Sequence, residues 1–94
     1  MRISEFVWPD DRVAHVARHG VDPVEVEEAC FGRAMVRGVE SEGPNPVYHV
    51  LGETEAGRYL FCVVILFPDH KAYPVTARDM SENEKARYRD WRRR

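Results

Sequence analysis

The sequence predicts one α+β domain, in which two N-terminal helices precede a four-stranded antiparallel sheet and a third helix closes the chain. Three observations predict this order. Helix start and stop signals bracket two segments before Arg33, apolar residues then recur with a period of two, and a helix-capping box stands at residues 81–84. The turns between the period-two segments are too short for parallel crossovers, so consecutive strands are expected to pair antiparallel. A chain of 94 residues has room for a single domain, residues 1–94.

Local signals define the two N-terminal helices. The first is expected to start at Trp8–Asp11, where a proline suits the first turn and two aspartates meet the positive end of the helix dipole. It is expected to run to about His19, because Gly20 favours the left-handed backbone that ends a helix. The second is expected to start at residues 22–25, an aspartate cap followed by a proline and by a glutamate three residues after the cap, and to end at Gly32.

After the second helix, apolar residues alternate and turn-forming residues separate the segments. Four strands are predicted: Ala34–Val39, Val47–Leu51, Arg58–Phe67 and Ala72–Thr76. Residues 59–67 are apolar at nearly every position, which predicts a central strand covered on both faces. Pro74 lacks a backbone donor and predicts an edge position or a β-bulge. Arg2–Trp8 is expected to be a short extended lead-in, and the last helix is expected to dock on the sheet through Tyr88 and Trp91.

Charge is distributed unevenly along the chain, although the net charge is only −2. Residues 1–57 hold 5 Lys and Arg against 11 Asp and Glu, a net −6, whereas residues 58–94 hold 9 against 5, a net +4. This division predicts a polarised surface, with solvated helix faces as the alternative. Five of the last eight residues are arginines.

Composition excludes several classes of protein. No apolar run approaches the roughly 20 residues of a membrane span, and the first residues lack the apolar segment of a signal peptide. Cys30 and Cys62 form neither a CxxC motif nor a disulfide framework. The sequence therefore predicts a cytoplasmic protein. A chain this short buries only about 60–65% of its unfolded surface, so a protein partner or a homodimer would add to its stability.

Histidines are the first candidate residues for chemistry, since no Ser/His/Asp or Cys/His arrangement and no phosphate-binding loop is present. His15 and His19 stand four apart, the spacing at which two rings can meet one metal ion. No third ligand is placed near them, so neither a metal nor another cofactor is predicted. His19 is open to two interpretations, a cation that stabilises the helix C-terminus or a proton carrier near neutral pH. His49 and His70 are expected to face solvent.

Two arginines of the sheet region are candidates for binding an anion. Arg58 opens the most apolar strand and Arg78 closes the last one, and a planar guanidinium suits phosphate or carboxylate. If their strands pair across the turn at residues 68–71, both arginines lie at the same end of the ribbon. They are then expected to converge with Glu84 and Tyr88 where the sheet meets the last helix. The alternative is a salt bridge, such as Arg78 with Glu84, that pins the helix.

Eight stretches in order carry a resemblance to a known family. They are Trp8, Arg18–Val21, Pro23–Cys30, Tyr48–Thr54, Gly57–Leu60, Val75–Met80, Glu84 and Tyr88. Over nearly the whole chain they resemble the BrnT family, the toxin half of a type II toxin–antitoxin pair. The resemblance implies a RelE-like fold, ribonuclease activity and neutralisation by a cognate antitoxin protein. The chain departs from the family at residues 71–75, where the family is often basic, and in its negative net charge.

A ribonuclease of this kind would be a metal-independent endonuclease with RNA as substrate. The ribose 2′-hydroxyl attacks the adjacent phosphate, a base takes its proton, cations hold the developing charge, and an acid protonates the leaving 5′-oxygen. Arg58 and Arg78 are the candidates for the phosphate, and His19 for the proton carrier. Glu84 is the alternative base, and Tyr88 the positioning or stacking residue.

Two other functions stay open on sequence alone. A non-catalytic partner-binding module, or a degenerate toxin homologue, fits the acidic second helix, which suits a basic partner. A nucleic-acid binder that uses only the arginine-rich terminus fits residues 87–94.

Overall fold

The computed structural model describes residues 1–94, in which five strands form one mixed sheet and three helices cover parts of its two faces. The strands are β1 (Glu5–Phe6), β2 (Met35–Val39), β3 (Val47–Glu53), β4 (Tyr59–Leu66) and β5 (Lys71–Asp79), and the helices are α1 (Asp10–Ala17), α2 (Pro23–Phe31) and α3 (Glu82–Arg92). The predicted α+β class is confirmed. No helix combines the length and the apolar character that a membrane crossing requires.

The sheet has the order β1-β5-β4-β3-β2, and strands β2 to β5 form the predicted antiparallel meander. The predicted number of four strands is wrong, because the extended lead-in adds a fifth strand that runs parallel to β5. The backbone N–H groups of Ser4 and Val7 donate to the carbonyls of His70 and Ala72, each at 2.9 Å. Part of the outer edge of β5, which would otherwise be open, is thereby paired.

The β-bulge that Pro74 predicts is present in β5. Val64 of β4 pairs with Pro74, whereas the preceding residue of β4 pairs with Thr76, so Val75 has no partner across the ladder. The extra residue lets the ladder resume beyond a position that has no N–H to contribute. The carbonyl of Val75 accepts a hydrogen bond from Arg12 of α1 at 2.9 Å, which satisfies its acceptor.

The main core lies between the sheet and helices α1 and α2. Alternate residues of β4 are buried on this face. The core consists of Val16, Val21, Val26, Ala29, Cys30, Val50, Leu60, Cys62, Val64 and Ala77. At Gly52 a Cβ atom would lie 2.2 Å from the carbonyl oxygen of Ala29, so only glycine lets α2 approach β3 this closely.

The third helix covers only one end of the opposite face. Tyr88 packs there with Leu51, and Trp91 borders this smaller cluster, so the helix docks as predicted. The predicted burial of β4 on both faces is wrong. Its residues that point toward this side, such as Val63 and Ile65, are only half-buried because α3 does not reach them.

Both predicted capping boxes are present. In α2 the N–H of Asp22 donates to the Glu25 carboxylate at 3.0 Å, and in α3 the N–H of Ser81 donates to the Glu84 carboxylate at 2.8 Å. Each glutamate therefore has a fixed position at the start of its helix.

The first helix is shorter than predicted. Pro9 precedes the helix rather than opening it, and the helix ends at Ala17. His19 consequently lies in the turn that follows, where Gly20 has the predicted left-handed backbone with a φ of 69°.

Candidate functional site

Arg58 and Arg78 lie at the same end of the sheet but on opposite faces. Leu60 of β4 pairs with Asp79, and Phe61 pairs with Arg78. Arg58 stands two residues before Leu60, so its side chain shares the face of α1 and α2 with Asp79, whereas Arg78 shares the face of α3 with Phe61. The expected convergence of the two guanidinium groups is therefore wrong, because an offset of one residue along a strand reverses the direction of a side chain.

A set of ion pairs and hydrogen bonds holds Arg58; we call it the Arg58 clamp and define it by Arg58, Gly20, Glu25 and Asp79. The Nε atom donates to Asp79 at 2.7 Å, and Nη1 donates to the Gly20 carbonyl at 2.8 Å and to Glu25 at 3.1 Å. Nη2 also donates to Asp79, at 3.3 Å. The hydrogen bonds between Arg58 and Asp79 raise the pKa of the guanidinium and lower the pKa of the carboxyl group. All three nitrogens are engaged, so this arginine connects α2, β5 and the turn after α1.

A second clamp stands on the other face; we call it the Arg78 clamp and define it by Arg78 and Glu84. Nη1 and Nη2 of Arg78 donate to the two oxygens of Glu84 at 2.8 and 3.0 Å, the salt bridge that the sequence left as the alternative. Hydrogen bonds from Arg78, followed by those from Ser81, lower the pKa of Glu84 to about 2. A carboxyl group this acidic is a poor general base at neutral pH.

His19 and Tyr88 lie apart from one another and from any shared pocket. His19 is exposed, and its ring packs against that of His15 with the centroids 5.6 Å apart. Tyr88 is 1% exposed, burial raises its pKa, and its hydroxyl donates to the carbonyl of Arg33 at 2.6 Å. A ring this buried packs α3 on the sheet and has no free face for a nucleotide base. No cluster of three or more His, Cys, Asp or Glu side chains is arranged to hold a metal ion.

The face of α3 contains a groove that these expectations did not include. We call it the α3-face groove, and its lining residues are Met35, Arg37, His49, Leu51, Phe61 and Arg87. It is shallow, with a cavity volume of about 30 Å³, and draws its residues from β2, β3, β4 and α3. Its polar side chains are two guanidinium groups and one imidazole, so it suits an anion.

Strand register brings the residues of the α3-face groove together. Arg37 of β2 is directly opposite His49 of β3, the arrangement in which Cβ atoms lie about 4.5–5.5 Å apart. The His49 ring meets the Phe61 ring at 78°, with the centroids 5.0 Å apart. On the other side of Phe61, the guanidinium carbon of Arg78 lies 4.2 Å from the ring centroid. Arg78 is thus the one predicted arginine that borders the groove.

The electrostatics of the groove favour a neutral imidazole beside unpaired cations. Arg37 and Arg87 have no carboxylate within 4 Å, unlike Arg78, which is paired. Partial burial lowers the pKa of His49 below 6.5, and the positive charges of Arg37 and Arg78 also lower it, while the Glu84 carboxylate acts in the opposite direction. The ring nitrogens of His49 make no hydrogen bond within the protein, so one of them is free to accept a proton at pH 7.

Sequence reasoning missed His49, Arg37, Phe61 and Arg87, although part of the signal was present. Arg37 interrupts the apolar alternation of β2, and His49 interrupts that of β3. Each of these side chains points to the same side of the sheet as the apolar residues two positions before and two positions after it. The prediction that His49 faces solvent is wrong for this reason, since the residue is half-buried in the groove.

The α3-face groove therefore combines an unpartnered imidazole, two unpaired guanidinium groups and an aromatic ring. Such a set can hold a phosphodiester and take a proton from a group beside it. No protein-family model matches the chain, and neither does any curated protein.

Proposed function

We propose that the protein is a metal-independent endoribonuclease and that the α3-face groove holds the scissile phosphate. The observation that carries this proposal is the position of His49. Its imidazole has no hydrogen-bond partner in the protein and lies among guanidinium groups, two of which have no carboxylate partner.

The chemistry assigns each residue of the groove a role. Neutral His49 accepts the proton of a ribose 2′-hydroxyl as its oxygen attacks the adjacent phosphorus. Arg37 and Arg87 hold the phosphate oxygens as negative charge develops on them. The bond to the 5′-oxygen breaks, solvent at the mouth of the groove protonates that oxygen, and the products are a 2′,3′-cyclic phosphate and a 5′-hydroxyl. Phe61 offers an aromatic edge for a neighbouring base.

The roles proposed here differ from those expected from the sequence. Arg58, Glu84 and Tyr88 have positions that explain them as parts of the fold, since each is engaged by other protein groups. His19 lies in the turn after α1. The next residue, Gly20, belongs to the Arg58 clamp, which is on the face of the sheet covered by α1 and α2. Arg78 keeps a part in the site because it borders Phe61, and its charge is balanced by that of Glu84.

The resemblance to BrnT proteins supports a more specific proposal, that the chain is the toxin of a type II toxin–antitoxin pair. The sheet face around the groove supports it as well. Val63, Ile65 and Tyr73 are half-buried there without a helix over them, which leaves space for an inhibitory protein to cover the groove.

Histidine substitutions test the ribonuclease proposal. Purified His49→Gln should cleave a 5′-labelled RNA roughly 100- to 10,000-fold more slowly than wild type, the usual contribution of a general base. His19→Gln is the matched control and should cleave within about twofold of wild type. The circular dichroism spectra of both variants should equal that of wild type.

Two results would contradict the proposal. Full cleavage by His49→Gln would remove the imidazole from the mechanism. Cleavage of a substrate whose 2′-hydroxyl groups are replaced by hydrogen would exclude attack by that group. Loss of cleavage in His19→Gln alone, with the fold intact, would restore the assignment made from the sequence.

A non-catalytic partner-binding module is the second candidate, because the same half-buried apolar residues favour protein contact. The two functions differ in their effect on cells. Induced expression of the ribonuclease should arrest bacterial growth and degrade RNA, and the His49→Gln variant should do neither. A wild-type protein that causes no arrest and cleaves no RNA would favour the binding module.

A further inference from the structure

We propose that an RNA strand bound in the α3-face groove continues along β2 and α3 to a second nucleotide subsite, so that the protein binds an extended single strand. We call this the Arg33 subsite and define it by Arg33, Trp91 and Arg92. The inference rests on the proposed function, because it takes the groove as the place of the scissile phosphate.

The Arg33 subsite is a separate concavity near the C-terminal end of α3. It is lined by Arg33, Glu53, Thr54, Tyr88 and Arg92 and has a cavity volume of about 210 Å³. Glu53 is paired with Arg92. Arg33 is exposed and has no carboxylate within ion-pair distance, so its positive charge is free for an anion.

An aromatic ring lies beside this free charge. The guanidinium carbon of Arg33 lies over the half-buried Trp91 ring, 5.6 Å from its centroid, and the same ring stacks with Tyr88 at a centroid distance of 5.9 Å. Proteins that bind single-stranded nucleic acid combine a positively charged path with aromatic rings on which bases stack. The pair formed by Arg33 and Trp91 supplies both elements at one place.

The two concavities lie along one seam. Arg37 lies on β2, and Arg33 lies two residues before this strand begins. The two arginines are no more than about 14 Å apart along the chain, and Met35 of the groove lies between them. On α3, Arg87 of the groove and Trp91 of the subsite are also four residues apart and therefore share a face. A strand that enters the groove thus meets the Arg33 subsite when it continues along the seam.

A chain of phosphates fits this seam better than an acidic peptide. Unpaired guanidinium groups stand along it at three positions, Arg37, Arg87 and Arg33, where a nucleic-acid strand offers more than one phosphate. A carboxylate side chain offers no flat ring to stack against the pair formed by Arg33 and Trp91, whereas every nucleotide base does.

Binding of uncleavable oligonucleotides tests the subsite separately from catalysis. The probes are uridine oligomers of two and six nucleotides with 2′-O-methyl groups, which remove the attacking hydroxyl. Arg33→Ala should raise the Kd of the hexamer about fivefold at 0.1 M salt and lower the slope of log K against log salt by about 0.7, the loss of one phosphate contact to a single strand. It should leave the Kd of the dinucleotide, measured by competition, unchanged.

Arg18→Ala is the matched control, because Arg18 is an exposed arginine without an ion pair at the far end of α1. It should change neither the Kd nor the slope. A Trp8→Phe protein, in which Trp91 is the only tryptophan, supplies a second measurement. Its emission should change on titration with the hexamer and stay constant with the dinucleotide.

The outcomes separate this inference from the proposed function. Equal hexamer binding by Arg33→Ala and Arg18→Ala, or an unchanged Trp91 emission, overturns the subsite even if RNA is cleaved. If hexamer binding depends on Arg33 but the protein cleaves no RNA, the subsite is supported and the ribonuclease proposal is rejected. Binding of polyglutamate that depends on Arg33, with no binding of the hexamer, overturns the subsite in favour of a protein partner.

Discussion

Replacing Arg58 with alanine tests whether this arginine stabilises the fold or acts on a substrate. The substitution removes the fork that joins Glu25 of α2, the Gly20 carbonyl and Asp79 of β5. We expect the variant to lose stability and to keep its RNA cleavage per folded molecule, because the Arg58 clamp lies on the face opposite the α3-face groove.

The expected loss follows from the exposure of each partner. The side chains of Arg58 and Glu25 are 27% and 24% exposed, so their pair should contribute about 1–1.5 kcal/mol, less than a fully buried charged hydrogen bond. Asp79 is 63% exposed, and solvent screening leaves about 0.5 kcal/mol there. The bond to the Gly20 carbonyl adds about 1 kcal/mol. A total of about 2.5–3 kcal/mol corresponds to a Tm lowered by about 10–20 °C in a domain of this size.

Thermal unfolding followed by circular dichroism at pH 7 measures this difference. Arg58→Lys keeps the charge but cannot form the fork, so its Tm should lie between those of wild type and Arg58→Ala. Arg93→Ala removes an exposed arginine without an ion pair and should lower the Tm by no more than about 4 °C.

The same comparison at acid pH tests the direction in which the stability difference changes, whatever its size. Arg58 holds the pKa of the Asp79 carboxyl below its ordinary value of 3.8. A lowered carboxyl pKa stabilises the fold above the unfolded value, and the contribution is lost as the pH falls through the folded value. The difference in stability between wild type and Arg58→Ala should therefore narrow below about pH 4.

One result refutes this account. If Arg58→Ala unfolds within about 0.5 kcal/mol of wild type and loses RNA cleavage at 25 °C, the arginine acts on the substrate rather than on the fold. Arg58 would then return to the phosphate-binding role that the sequence predicted.

Three further predictions concern other parts of the molecule. Glu84→Gln should cost about 1–2 kcal/mol in urea unfolding at pH 7, a value reduced by the 42% exposure of Arg78. In wild type this contribution should disappear as the pH falls from about 4.5 towards 2, since the folded pKa of Glu84 is about 2. If Glu84→Gln loses as much stability as wild type over this pH range, the loss does not come from Glu84. Gly52→Ala should cost at least about 3 kcal/mol or prevent folding, because its Cβ would meet the Ala29 carbonyl at 2.2 Å, and a stable variant with an unchanged Tm would show that α2 can shift. The rate of RNA cleavage should fall in acid through a pKa below 6.5, when His49 becomes charged, and a rate that is constant between pH 5 and 8 would exclude the imidazole as the base.

Most of the fold was predictable because its signals are local. The residues that cap a helix, such as Asp22 and Ser81, act on the turn that immediately follows them, and both capping boxes are present. Pro74 predicted the bulge because the missing N–H is a property of that residue alone. The fifth strand was predicted only as an extended segment, since its pairing depends on β5, more than sixty residues away.

The candidate site was less predictable. Arg78 and Glu84 are six residues apart, and their salt bridge was among the alternatives. The expected convergence of Arg58 with Arg78 was wrong because the number of residues to a turn gives the position along a ribbon but not the face to which a side chain points. His49 and Arg37 come from strands whose own sequences showed one polar residue each in an apolar pattern, and nothing local indicated that the two would be opposite one another.

The sequence by itself determined which segments form the three helices and the four antiparallel strands, and their ends to within a few residues, because caps, prolines, glycines and the period of apolar residues act over a few neighbouring positions. Only the tertiary structure decided which charged groups meet. A side chain's face follows from strand register, which depends on residues distant along the chain and changes with a single bulge. For the same reason Arg58 and Arg78 became separate clamps, while Arg37, His49 and Arg87 came to share one groove.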